Sequence, residues 1–427
     1  MWGKDQNLAQ LIPSLHRTIR SFVESYEIVV GAGPENGFLE PEVGELGGVF
    51  AQSRGAGYGE ILREALARAS GRYVITMDAD FSHQPGYVRT MWHHRDTGEV
   101  LIGSRYERGS YAEMSVARRG LSELLNLIYR KILSIPQRDL TSGFRMFDSK
   151  VLADIGLPEG TGMEALPEMI TKAICQGWRV AEVPFWYQGS HHWTPMKMIK
   201  LSGGYLQTLG RLVGLRNSVK AADYDNRAFD SWIPLQRYWQ RERFRIIQRF
   251  AAEASLILDI GCGTSRIVQN IPDVVGMDLA LRKLRWLRAP GRWLLQGDLT
   301  RLPFRDASFD AVICSEVIEH MPREHVHLEE FVRVVRPGGL LILSTPDYSR
   351  RVWRTLEWIY AKVFPSGYVT EHVNPYTYDV LREELERLGL VVLDCRYVAA
   401  SEMIFKSRLP SGVDSGSLRA AVTASSR

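Results

Sequence analysis

Long apolar runs are missing from this chain. No stretch reaches the roughly 18 consecutive apolar residues of a membrane-crossing helix. A membrane-linked substrate would therefore be met from the surface. The N-terminus also lacks the charged, then apolar, then small-residue pattern of a signal peptide. Cysteine is scarce. Cys175, Cys262, Cys314 and Cys395 stand too far apart for a CxxC metal or redox motif, and each sits among apolar residues as buried free thiols do. A reducing, cytoplasmic compartment is expected. An excess of one charge is absent too. The net charge is +4 with both signs interspersed, which argues against a nucleic-acid partner. Basic residues do gather at 116–145 and 234–249, and could meet phosphates or an anionic membrane surface at its inner face. For the second cluster, a solvated helix face is at least as good a reading.

What is present suits two globular domains: 427 residues, 45% hydrophobic and 24% charged. The pattern predicts helices over 1–24, 58–69, 115–134 and 162–177, with strands at 26–30, 73–77, 100–103 and 179–183. Alternating strands and helices imply a mostly parallel sheet. Residues 31–37 read as a turn and 38–56 as loop. Apolar positions within 196–215 fit either a core-facing helix or one lying on a membrane. The Arg-rich stretch 216–250 reads as a linker with helical content from about Leu235. A second α/β pattern begins at Leu256 and runs to about 405, and the Ser/Ala/Gly-rich tail from Lys406 is expected to be disordered.

Two acidic strand ends carry the chemistry. The first follows Leu256–Leu258: Asp259-Ile260-Gly261-Cys262-Gly263-Thr264. Glycines after a strand let backbone N–H groups approach a ligand. Arg266 stands where a dinucleotide fingerprint needs glycine, which counts against NAD. Asp278 ends the next strand, where a carboxylate can take ribose hydroxyls. Asp298-Leu299 follows one strand later. Then come Glu316-Val317-Ile318-Glu319-His320 and Arg336-Pro337-Gly338-Gly339. This ordered set, over about 253–400, resembles class I S-adenosylmethionine-dependent methyltransferases. The resemblance implies a Rossmann-like domain binding S-adenosyl-L-methionine. Gly261 and Gly263 would lie at the methionine end, Asp278 at the ribose and Asp298 at the adenine, with Asp259 and Leu299 also among the cofactor-binding residues. His320 and His372 are candidate bases, with a packed, helix-capping His320 as the bland alternative. Glu316, Glu319 and His320 also resemble the divalent-metal trio of quinone-ring O-methyltransferases.

The second strand end is Asp78-Ala79-Asp80, after Tyr73–Met77. Residues two apart on a strand share a face, so the two carboxylates can hold one cation against a diphosphate. With Gly55–Pro85, Gly103–Tyr106, Asp139–Arg145 and Glu182–Pro184, this site resembles the polyprenyl-phosphate (dolichol-phosphate) mannosyltransferases of glycosyltransferase family 2. The resemblance covers about 5–215. It implies a GT-A-like domain in which Asp78 and Asp80 hold Mg²⁺ or Mn²⁺ and a nucleotide-sugar donor, with Asp80 catalytic. Arg105, Arg118, Ser142 and the catalytic Arg145 would cradle an acceptor phosphate, with Glu168 nearby.

Three departures stand out. The chain begins at Met1 inside the family's first turn, so the leading strand is expected to be lacking, through an upstream start or degeneration. The base-binding carboxylates are replaced by Gly31–Asn36, leaving only Glu35. His191 or His192 stands where the family often has a cation.

The combined expectation is a bifunctional transferase with a glycosyltransferase-like domain (1–215), a helical linker (216–250), a methyltransferase domain (251–405) and a tail (406–427). It would move a sugar to a polyprenyl phosphate or glycan and methylate that product or a related molecule. The alternative is a methyltransferase whose first domain only binds substrate.

Overall fold

The computed structural model describes residues 7–189, 195–363 and 372–412. It divides at Arg216/Asn217 into two compact units.

The first unit has eight described strands: β1 (Val29–Ala32), β2 (Val49–Gln52), β3 (Tyr73–Thr76), β4 (Val100–Ser104), β5 (Tyr111–Glu113), β6 (Arg145–Asp148), β7 (Val180–Pro184) and β8 (Trp186–Gln188). β1 and β2 pair in parallel as a sheet of their own. The main sheet runs β3-β6-β4-β7. It is mixed rather than mostly parallel, because β6 is antiparallel to both β3 and β4. That strand starts at Arg145, the last residue of the Asp139–Arg145 motif, and its four residues are too few to show an apolar pattern of their own. The helix Leu8–Ile19 serves both sheets. Its Leu8 and Ile12 pack with Val30, Leu39 and Val43 near β1, while Leu11 and Leu15 pack with Leu101 and Phe144 of the main sheet. Residues 38–56 contain the helix Glu40–Glu45 and β2 rather than loop alone. In the helix Pro195–Arg216, Tyr205, Leu209 and Leu212 join the core, so those residues realise the core-facing reading.

The second unit has β9 (Ile257–Ile260), β10 (Val274–Asp278), β11 (Trp293–Gln296), β12 (Phe309–Ser315), β13 (Val335–Pro346), β14 (Val391–Val398) and β15 (Glu402–Arg408). They form one seven-stranded sheet, β11-β10-β9-β12-β13-β15-β14. The first five are parallel, and β15 runs antiparallel to both neighbours. The chain winds outward from β9 through β10 to β11, then returns to β12 on the other side. That reversal opens a crevice beyond the carboxyl ends of β9 and β12, where open α/β sheets bind ligands.

Two expectations change here. Residues 217–250, within the stretch read as a linker with helical content, group with the second unit. The helix Pro234–Phe250 buries Ile246, Ile247 and Phe250 against Ile257, Ile342 and Ile404. Its charged look reflects one buried stripe on an otherwise solvated helix. Lys406–Arg408 belong to β15, and the rest of the tail from 413 lies outside the described residues.

Candidate active sites

Residues of β9 are apolar and buried until Asp259, which is itself 2% exposed. The chain then turns through Gly261 (φ +64°) and Gly263 (φ +52°), left-handed conformations that favour glycine. A Cβ on Gly263 would also meet Asp225 Oδ2 at 2.5 Å. The Gly263 N–H donates to Asp278 Oδ2 (2.8 Å), and the Ala280 N–H donates to Asp278 Oδ1 (2.7 Å). Asp278, at the end of β10, is thus aimed at the turn. Asp298 accepts the Thr300 N–H (2.9 Å), and Leu299 packs on the core.

Asp259 Oδ2 has no hydrogen-bond partner. Burial first, then the charge of Asp278, pushes this carboxyl well above its ordinary range. A buried carboxylate oxygen without a partner, beneath a glycine turn with a second carboxylate, suits a cationic ligand such as a sulfonium bearing an α-ammonium.

Beyond β12, Glu319, His320 and His372 each offer one ligand atom, and these atoms lie within 4.8 Å of one another. Such a carboxylate–imidazole group can hold a divalent cation. Glu319 is fully buried, accepts from Thr345 Oγ1 (3.2 Å) and leaves Oε1 without a partner. Burial is the main cause that raises its pKa to about 8. His372 moves the other way, down to about 4, through burial and then the proximity of His320. Its ring stacks on Trp353, and Nδ1 lies 2.8 Å from Tyr348 Oη. That hydroxyl donates to Glu357 (2.9 Å). With its proton so committed, Tyr348 accepts from His372 Nδ1–H, leaving the Nε2 lone pair as the basic atom.

Glu316 is not part of this group. Arg243 pairs with it (3.1 Å) and grips the fully buried Glu402 through Nε and Nη2 at 2.7 Å each. His372 takes the place expected for Glu316.

In the first unit, the Asp78 N–H donates to His83 Nδ1 (2.9 Å), so that nitrogen carries no proton. His83 is buried and stacked on Phe144, and burial lowers its pKa. Burial raises Asp78; His83 opposes the shift, and the charge of Asp80 adds to it. Asp80 accepts the Ser82 N–H (3.0 Å), beyond Phe81 at φ +60°. A non-glycine residue so placed stores strain at the tip of the acidic turn.

Arg105 and Arg118 converge on Tyr187, with guanidinium carbons 5.6 and 5.5 Å from its ring centre. Arg105 is also held by Asp139 (2.8 and 2.7 Å), and Arg118 Nη2 donates to Tyr187 Oη (2.8 Å). The other expected acceptor residues lie deeper. Arg145 is fully buried and donates to the carbonyls of Ser142, Leu166 and Leu140 (2.8, 2.5 and 2.6 Å). Ser142 accepts the Phe144 N–H (3.3 Å). Glu168 accepts the N–H groups of Glu159 and Gly160 at 2.9 Å each. These three hold the loops behind the two arginines. His191 and His192 lie outside the described residues.

The sequence reading missed Asp225, Lys283, Tyr348, Arg243 and Glu402 around the second site, and His83 and Tyr187 around the first. His83 alone carried a local signal, five residues after Asp78 in the same turn.

Comparison with known proteins finds a family for each unit. Residues 258–343 match the methyltransferase domain family, and residues 42–156 match glycosyl transferase family 2. A demethylmenaquinone methyltransferase of Beutenbergia cavernae is 31% identical over 172 residues, covering 37% of this chain and 70% of that protein. A protein of Encephalitozoon cuniculi named as a methyltransferase is 36% identical over 124 residues (28% of this chain, 58% of that one). One of Mycolicibacterium smegmatis, named for S-adenosylmethionine-dependent methyl transfer, is 34% identical over 120 residues (26% and 47%). The chain thus spans less than two-thirds of two of these three relatives. The glycine turn, its carboxylates and these matches place the chain in the class I S-adenosylmethionine-dependent methyltransferase family, here fused to a glycosyltransferase family 2 domain.

Proposed function

We propose that the chain is a two-site transferase acting on one saccharide-bearing product. The reading of the second unit rests on the buried Asp259 Oδ2, which lacks a hydrogen-bond partner in the strand leading into the Gly261–Gly263 turn, and on a His372 kept neutral. S-adenosylmethionine supplies an electrophilic methyl group when bound. Asp259 and Asp278 orient it, and the buried surroundings of His372 and Glu319 exclude water from the acceptor. His372 Nε2 takes the proton of an acceptor hydroxyl, while Tyr348 and Glu357 fix the ring in the tautomer that exposes this atom. A hydroxyl acceptor fits because a neutral base is on hand; a phenol or sugar alcohol would need one.

For the first unit, the reading is sugar transfer from a nucleotide-sugar to a polyprenyl phosphate or glycan. Mg²⁺ or Mn²⁺ held by Asp78 and Asp80 would neutralise the departing diphosphate. Arg105 and Arg118, gathered on Tyr187, would meet the acceptor's anion. The helix Val116–Leu133 supports a lipid-linked acceptor. Leu124, Leu127, Ile128 and Ile132 are exposed beside Arg119 and Lys131, as on a helix that rests on an anionic membrane. Among the described residues no helix is long and apolar enough to cross a membrane. The second reading keeps the methyltransferase and makes the first unit a substrate-binding module. It is favoured by the commitment of Arg145 and Glu168 to backbone groups.

Calorimetry with S-adenosylmethionine is the primary test, and no detectable binding to folded protein would remove the methyltransferase reading. A nucleotide-sugar donor screen against polyprenyl phosphates, with and without S-adenosylmethionine, separates the two readings of the first unit. Absence of all sugar transfer favours the binding module.

A further inference from the structure

The helix Arg351–Val363 of the second unit has two unlike faces. One supports the base: the Trp353 ring stacks on His372, with centroids 5.8 Å apart, and Glu357 accepts from Tyr348. The other is exposed, and Arg351, Arg354, Thr355 and Trp358 line an open groove of about 450 Å³ along it. Residues three, four and seven apart share a helix face, so Arg351, Arg354 and Trp358 adjoin, and Arg354 also neighbours Glu357. The Trp358 side chain is left 60% exposed. Among the described residues, no acid pairs with Arg351 or Arg354. The preceding Arg350 differs, because it pairs with Asp347 (3.4 Å) and lies over the Tyr397 ring. Arg145 and Arg243 likewise hold parts of the fold. Arg351 and Arg354 hold none, and tryptophan beside arginine is what recognition surfaces concentrate.

Two guanidinium groups one helical turn apart can take one phosphate between them. An exposed indole suits the C–H face of a sugar ring. The first unit gathers the same chemistry at its own site, where Arg105 and Arg118 converge on Tyr187. We propose that the exposed face of the helix Arg351–Val363 binds the methyl acceptor, and that this acceptor is a glycosyl phosphate. Arg351 and Arg354 take its phosphate, and Trp358 carries its sugar ring with a free hydroxyl toward His372. That sugar oxygen gains the methyl group, its proton passes to His372 Nε2, and the sulfonium donor becomes a thioether. The inference rests on the two-site reading and deepens it, because it names the group that both sites read.

The test is methyl transfer by the full chain from labelled S-adenosylmethionine to acceptors in free solution. The acceptors are the 1-phosphates of glucose, mannose and galactose, the same sugars linked to farnesyl phosphate, and their neutral methyl glycosides. The parent chain is expected to methylate phosphate-bearing acceptors with a KM about tenfold or more below that of the neutral ones. Changing Arg351→Gln and Arg354→Gln together should raise KM for the phosphate-bearing acceptors by about that factor, hold kcat, and leave the neutral glycosides unchanged. Trp358→Ala should raise KM for both classes. A lower KM for the farnesyl compounds supports the inference with a lipid-linked acceptor, and an equal one supports it with a soluble sugar phosphate. The inference is overturned if the arginine changes affect charged and neutral acceptors alike, or lower kcat without raising KM, or alter neither. It also falls if they weaken only co-sedimentation with anionic phospholipid vesicles, which would make this face a membrane contact. S-adenosylmethionine binding with none of the acceptors methylated overturns the inference and leaves the methyltransferase reading standing. No binding of S-adenosylmethionine removes both.

Discussion

At the scale of single residues, His372 is the group whose state the structure fixes most sharply. Its ordinary pKa is 6.5, and burial takes it to about 4. If it is the base, the acidic limb of kcat for methyl transfer should fall near pH 4, not near 6.5. A pH–rate profile with a limb at 6.5 would assign the base elsewhere. Stability carries the same sign. The unfolded chain takes up this proton between pH 6.5 and 4 and the folded chain does not, so the second unit should lose stability as pH falls through that window. His372→Ala should lower methyl transfer by roughly 10²-fold or more while S-adenosylmethionine affinity holds. Asp80→Ala belongs to the same scale. It should abolish metal-dependent sugar transfer and leave methyl-donor binding untouched. Transfer that survives the change would remove the metal assignment.

At the scale of elements, the helix Pro234–Phe250 is tied to β15 by charge as well as by its apolar stripe. Arg243 bridges the buried Glu402 and Glu316, and Trp239 Nε1 donates to Glu402 as well. Burial raises Glu316, and Arg243 opposes the shift. Removing one partner of a buried pair leaves the other charge stranded, which costs about 3–5 kcal/mol. Arg243→Ala is therefore expected to destabilise the second unit by that order in urea titrations followed by tryptophan fluorescence. A change below about 1 kcal/mol would mean that water compensates Glu402. Arg145 plays the comparable part in the first unit, binding the carbonyls of Leu140 and Ser142 in the loop before β6 and that of Leu166 in the helix Ala165–Cys175. Its replacement by Met should unfold or loosen that loop, and sugar transfer would fall with stability rather than apart from it.

At the scale of the whole molecule, the two units hold separate sites and separate cores. A ligand that binds one folded unit raises only that unit's unfolding transition. S-adenosylmethionine at about a hundred times its Kd should add about 2.7 kcal/mol to one transition. Differential scanning calorimetry on the full chain checks this, and a shift of both transitions would show that the units unfold as one.

Much of this was written locally in the chain. The apolar run ending at Asp259, the glycines after it, and Asp278 at the end of the next strand gave the second fold and half its site, because strand, turn and carboxylate are near neighbours in sequence. Asp78 and Asp80 were legible for the same reason. The rest depended on long-range contact. β6 is only four residues long, begins where a motif of turn residues ends, and pairs on both sides against the direction of its neighbours. The stretch 217–250 looked like linker because only one stripe of its long helix is apolar, and only packing on β14 and β15 reveals that stripe as core. His372 meets His320, and Asp225 meets Lys283, across chain separations that no spacing rule reads. Sequence determined which strands end in carboxylates and glycines, since that is set by local sterics and polarity. Tertiary structure alone decided which charges face one another, because burial and proximity, not residue type, set whether an arginine holds a loop or meets a ligand.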